Sequence, residues 1–123
     1  MIAGPRDGPS TLSRMNDVAT ELTPADAAEH LHDERWQAVD VRLAYERVED
    51  GVIAGDVHIA LTELSDRAVE IDPERPVLIY CHTGSRSAMA VAALRGAGYD
   101  AYNLAGGIAA WAAAGLPVAR PTG

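Results

Sequence analysis

PVLIYCHTGSRSAMAVAALRGAG, residues 76–98, changes character twice. Val77, Leu78, Ile79 and Tyr80 form a short apolar run that reads as a buried strand. The chain's only cysteine, Cys81, follows, and then a polar loop, His82-Thr83-Gly84-Ser85-Arg86. From Ser87 the composition turns to alanine, methionine, valine and leucine, which favours a helix. Strand, cysteine, tight loop and helix together make a physical device. Successive loop amides can curl into a nest for an anion. The helix start adds unsatisfied N–H groups and the positive end of its dipole. Arg86 adds a full charge. A cysteine in such surroundings is a thiolate near neutral pH, because they lower its pKa from about 8.5 to roughly 3.5–7.5. The opposing reading is an inert buried cysteine that acts as a small hydrophobe. The loop, the helix and the arginine together argue against it.

On the far side of this stretch, the helix should stop at Gly96 or Gly98, both C-cap candidates. Its apolar residues, Ala88, Val91, Ala92 and Leu94, run nearly all round, which predicts a helix buried under other elements. Ser87 is the expected N-terminal cap. Tyr99–Leu104 reads as a further strand, and Gly106-Gly107-Ile108 opens a closing helix with Trp111 as a core residue. On the near side, Asp72-Pro73-Glu74-Arg75-Pro76 is a turn. Leu61 to Ile71 is a helix candidate with Leu61, Leu64, Ala68 and Ile71 as its apolar face. Gln37–Val41 is a short strand. Before it, Thr23 as N-cap, Pro24 in the first helical position and Asp26 in the first turn announce a helix ending near Asp33, with Trp36 as a core or boundary residue. Residues 1–20 read as a flexible leader, 21–118 as one domain and 119–123 as a tail that frays. Strands and helices alternate throughout. The expected class is α/β, a mostly parallel central sheet flanked by helices on both faces, with the reactive loop at the carboxyl end of a strand.

Composition narrows the function. The formal net charge is −8, and all ten basic residues are arginine. No basic block exists, which argues against nucleic acid as a partner. No run approaches the roughly eighteen apolar residues of a membrane span, and residues 1–14 show no signal-peptide pattern. A single cysteine has no internal disulfide partner, which favours a reducing compartment such as the cytoplasm. His30 and His32 diverge on a helix, and no metal-ligand cluster or cofactor motif is visible.

Cys81-His82-Thr83-Gly84-Ser85-Arg86-Ser87 resembles the active-site loop of the rhodanese family, C-x-x-G-x-R-S. Asp40-Val41-Arg42 with Glu46 is similar to a second family signature, and Gly106-Gly107-Ile108…Trp111…Gly115-Leu116-Pro117-Val118 to the closing helix of the family. Gly51 to Ala60 occupies the place of G-H-I-x-G-A-x-N-I-P, with Val52, Asp56, His58 and Ala60 as departures. His58 either faces the active site or supplies the hydrogen bonds of the usual asparagine. Asp40 can tie down loop amides, and Arg42 with Glu46 can make a charge pair that fixes the turn; scaffold rather than catalysis is the reading for Arg42.

The resemblance implies a rhodanese-like fold and a single-domain sulfurtransferase. Cys81 would be the nucleophile and carry a persulfide. Arg86 would hold the loop and favour anionic donors. The loop from His82 through Thr83, Gly84, Ser85 and Ser87 would bind the anion. A donor such as thiosulfate would supply sulfane sulfur, and a thiol or cyanide would accept it, with no cofactor and no metal. His82 is either a residue that weakens use of thiosulfate when neutral or an exposed loop residue without a role. Two rival readings stand beside this one. The same loop can serve a sulfur-carrier or regulatory module that works only with a partner protein in a sulfur relay. A phosphatase or arsenate reductase is disfavoured, because the related cysteine phosphatases place one more residue between cysteine and arginine.

Overall fold

The computed structural model describes residues 19–121. Its sheet is built from β1 (Glu21–Leu22), β2 (Gln37–Asp40), β3 (Val57–His58), β4 (Val77–Tyr80) and β5 (Ala101–Leu104). The strand order is β1-β5-β4-β2-β3, and every neighbouring pair is parallel. The helices are α1 (Pro24–Leu31), α2 (Ala44–Asp50), α3 (Leu64–Arg67), α4 (Ser85–Gly96) and α5 (Gly107–Ala113). This is the expected α/β class with a parallel central sheet.

The central strand explains the layering. All four residues of β4 are fully buried, as a parallel strand covered on both faces requires. Alternate side chains point to opposite faces. Val77 and Ile79 join Val39, Val41, Val91 and Leu94 in one core, against α4. Leu78 and Tyr80 join Ala27, Leu104, Ile108 and Trp111 in the other, against α1 and α5. Continuing the alternation puts Cys81 on the α4 side, within the first core. The cysteine therefore emerges where α4 begins.

The first helix forms as its caps dictate. Thr23 Oγ1 accepts the Asp26 amide at 3.1 Å, and Pro24 occupies the first turn. The Trp111 indole donates to the Pro117 carbonyl at 2.7 Å, which fastens the chain after α5.

Several elements differ from the sequence reading. α4 starts at Ser85, and its cap is Gly84 in the left-handed region (φ +106°), not Ser87. Nor is α4 buried all round: Ser87, Ala90, Val91 and Leu94 are inside, while Ala88, Met89, Ala92 and Ala93 face solvent. Alanine is so small that a stripe of it on the outer face looks like core in a one-letter sequence. Leu61–Ile71 is not one helix but a 3₁₀ turn, the short α3 and a second 3₁₀ turn. Leu61 and Leu64 are three residues apart, as are Ala68 and Ile71, and that spacing suits three residues per turn. The helix α2 had no sequence reading, because none of its residues is buried.

The edges of the expected domain shift as well. Residues 1–18 of the expected leader lie outside the described residues. Thr20 is docked, its carbonyl accepting the Asn103 amide at 2.6 Å. Ala119, expected in a fraying tail, exchanges two backbone hydrogen bonds with Val52, at 2.8 and 2.7 Å.

Candidate active site

At the end of β4 the chain wraps around its own sulfur. Cys81 Sγ is fully buried and accepts hydrogen bonds from the Gly84 amide at 3.1 Å, the Ser87 amide at 3.4 Å and the Ser87 hydroxyl at 3.2 Å. Burial by itself raises a thiol pKa, since it disfavours the charged form. The bonds from the Ser87 hydroxyl and from the Ser87, Gly84 and Arg86 amides outweigh burial and hold Cys81 below the ordinary thiol value. The first-turn amides of α4 have no partners inside the helix, so their positive ends remain available near the sulfur.

The loop amides can turn inward because the loop carbonyls are held outward. The Ile108 and Ala109 amides, at the start of α5, donate to the carbonyls of Cys81 (2.9 Å) and His82 (3.1 Å). Asn103 Nδ2 donates to the Gly84 carbonyl at 3.1 Å and is itself fixed by the Glu21 carboxylate at 3.0 and 3.1 Å. The approach of α5 is close. A Cβ at Gly107 (φ +65°) would come within 2.3 Å of the His82 carbonyl oxygen, so only glycine fits there. The paired glycines 106–107 are thus part of the loop's support.

The Arg86 side chain reaches to α2. It forms a two-pronged ion pair with Glu46, Nη1 to Oε1 and Nη2 to Oε2, both at 2.8 Å. Glu46 also accepts the Leu43 amide at 3.0 Å. Arg86 is the chief reason that the Glu46 carboxyl is pulled down to about 2. The turn pairing expected between Arg42 and Glu46 is not what the fold builds. The Glu46 carboxylate goes to Arg86, and Arg42 reaches only the Glu46 carbonyl, at 3.4 Å.

Arg42 is spent elsewhere. It is fully buried, pairs with both carboxylate oxygens of Asp40 and donates to the Gly51 carbonyl at 2.7 Å. Asp40 Oδ1 also takes the Arg42 amide at 2.9 Å. Arg47 bridges Asp40 (2.9 Å) and Asp56 (2.8 Å). The Tyr80 hydroxyl donates to Asp56 and accepts the Ile53 amide. His58 Nε2 bonds the Arg42 carbonyl at 2.6 Å; of its two readings, hydrogen-bonding support is the one its contacts show. This charge-balanced cluster braces the turn after β2.

The family model described as Rhodanese-like domain matches residues 23–114. The chain belongs to the rhodanese-like domain family. A sulfurtransferase of Allochromatium vinosum is 41% identical over 86 residues, covering 69% of this chain and 79% of that protein. A thiosulfate sulfurtransferase of Coxiella burnetii is 32% identical over 90 residues, covering 67% of this chain and 84% of that protein. The crystal structure of a rhodanese-related protein from Thermoplasma volcanium superposes with a TM-score of 0.74 at 30% identity, covering 80% of this chain and 95% of that one.

In this rhodanese-like domain the residues named from the sequence separate into groups. Cys81, Gly84 and Ser87 meet at the sulfur. His82 and Thr83 lie on the loop and Ser85 opens α4, all three exposed. Arg86 ties the loop to α2, and Asp40 with Arg42 lies in the buried cluster. Sequence reasoning missed Arg47 and Asn103 altogether, saw Glu46 with the wrong partner, and registered Asp56 only as a departure. Asn103 was detectable as a buried-strand position carrying an amide. The partners of the other three are set by tertiary contact alone.

Proposed function

We propose that this rhodanese-like domain is a sulfurtransferase working through a Cys81 persulfide. The observation that carries the reading is the sulfur's setting: three donors converge on Cys81 Sγ at the start of a helix. The Cys81 thiolate attacks the outer sulfur of a sulfane donor such as thiosulfate. A Cys81 S–S bond forms, the donor's S–S bond breaks, and sulfite leaves with the electron pair. In the second half, cyanide or a thiolate attacks the outer sulfur. Thiocyanate or a new persulfide leaves, and the Cys81 thiolate returns. Covalent catalysis divides one transfer into two easier ones. The loop amides stabilise negative sulfur in both halves, because they are already aimed where the charge sits. Arg86 serves by fixing the loop against α2. Such chemistry suits a reducing compartment such as the cytoplasm, where thiol acceptors persist.

The test is thiocyanate formation from thiosulfate or a thiosulfonate with cyanide, in the wild type and in Cys81→Ser. Turnover in the wild type that vanishes in the variant supports the proposal. A folded wild type that yields no thiocyanate from any sulfane donor overturns small-molecule transfer and leaves the partner-dependent carrier.

A further inference from the structure

Resting on the persulfide reading above, we propose that the site prefers a singly charged sulfane donor with an apolar carrier group over the thiosulfate dianion, because Glu46 neutralises Arg86. Arg86, the second residue of α4, is the arginine next to the loop. Both of its terminal nitrogens are committed to Glu46 at 2.8 Å. The pair is neutral as a unit and offers a doubly charged donor little attraction. Arg42 and Arg47, on either side of Glu46 in the chain, are consumed as well. Arg42 is closed off with Asp40, and Arg47 lies between Asp40 and Asp56. The exposed positions between Cys81 and Arg86 are His82, Thr83 and Ser85, none with a fixed positive charge. The chain as a whole carries −8, which disfavours approach of a dianion at long range.

Exposed apolar side chains lie close to both partners of the ion pair in the chain. Leu43, the N-cap of α2 three residues before Glu46, is 49% exposed. Met89 is 61% exposed and lies three residues beyond Arg86 on α4, hence on the same side of that helix. Apolar side chains on both partners' elements therefore flank the Glu46–Arg86 pair. A donor passing this pair gains by burying an apolar group and gains little from a second negative charge.

Benzenethiosulfonate is the probe, since it delivers sulfur by the same chemistry as thiosulfate. The Cys81 thiolate takes the outer sulfur, the S–S bond of the probe breaks, and benzenesulfinate leaves with the electron pair. The experiment measures kcat/KM for both donors at matched ionic strength, with cyanide as acceptor. Each value is divided by the donor's rate with a free small thiolate, which removes intrinsic reactivity. The expected result is a normalised preference for benzenethiosulfonate of about tenfold or more, the scale of one charge interaction near a protein surface. Thr83→Lys should raise thiosulfate kcat/KM by about fivefold or more and narrow the preference. Met89→Ser should narrow it from the other side, by lowering the benzenethiosulfonate value. Equal or reversed normalised values in the wild type overturn the proposal, as does a preference that neither variant moves. The two failures are distinguishable. If neither donor leaves sulfur on Cys81, the sulfurtransferase reading falls. If both do and thiosulfate is favoured, only this preference falls.

Discussion

Replacing Glu46 by glutamine removes a charge while keeping an acceptor for the Leu43 amide, so it isolates the ion pair with Arg86. Chiefly the bond from Arg86, with the Leu43 amide and the Arg42 charge adding to it, lowers the Glu46 carboxyl against the effect of burial from the ordinary 4.5 to about 2. At about 1.4 kcal/mol per decade, that is on the order of 3 kcal/mol of linked stability. Glu46 is 12% exposed but Arg86 is 35% exposed, so screening by water reduces the expected loss to about 1–2 kcal/mol. The sign follows from the direction. A carboxyl depressed on folding contributes stability that is complete above its unfolded value and is lost as pH falls through its folded value. Urea unfolding of wild type and Glu46→Gln should therefore differ by about 1–2 kcal/mol near neutral pH. The two should converge as pH falls from about 4.5 to about 2. A difference below about 0.5 kcal/mol near neutral pH, within the range of an ordinary surface change, would mean that the ion pair does not stabilise the fold. A difference that persists unchanged in acid would mean that it does not come from the ion pair.

Other perturbations probe the loop and its supports. Ser87→Ala deletes the 3.2 Å bond from hydroxyl to sulfur, so the pH profile of Cys81 alkylation should shift upward; an unmoved profile contradicts the assigned donor. Gly107→Ala forces a side chain against the His82 carbonyl at a positive φ. Denaturant unfolding should show a loss of at least about 2 kcal/mol, and unchanged stability would mean that the α5 contact does not constrain the loop. Tyr80→Phe leaves the Ile53 amide and an Asp56 oxygen without their shared partner and should cost about 1–3 kcal/mol. The double variant with Asp56→Ala should lose clearly less than the sum of the two singles, and strict additivity would contradict the coupling.

Much of the site was legible because it is local. The run Val77–Tyr80, the cysteine, the glycine and the alanine-rich body of α4 follow closely in the chain, and each residue type has a backbone or helix preference that narrows the choice, though not to the helix's first residue. The Thr23-Pro24 cap was legible for the same reason. Long-range partners were not. Arg42 and Glu46 are four apart, and that spacing invites a local pair, yet Glu46 closes on Arg86 across 40 residues. Asp56 looked like a loss against the family pattern, but Tyr80 lies 24 residues away and Arg47 nine away, and together they make it a member of a balanced cluster. The helix α2 escaped because it packs no side chain into the core. It is held at its ends by Glu46, by the Gly51 amide on the Arg47 carbonyl, and by the ion pair to α4. Hydrophobic periodicity, the main sequence signal for a helix, is missing from such an element.

The most direct test of the central claim is the mass of the protein after exposure to excess thiosulfonate and removal of the free donor. Wild type should gain one sulfur atom, mapped by peptide analysis to Cys81 and released by cyanide as thiocyanate. A wild type that stays at its original mass, or gains sulfur that Cys81→Ser gains equally, would contradict the account.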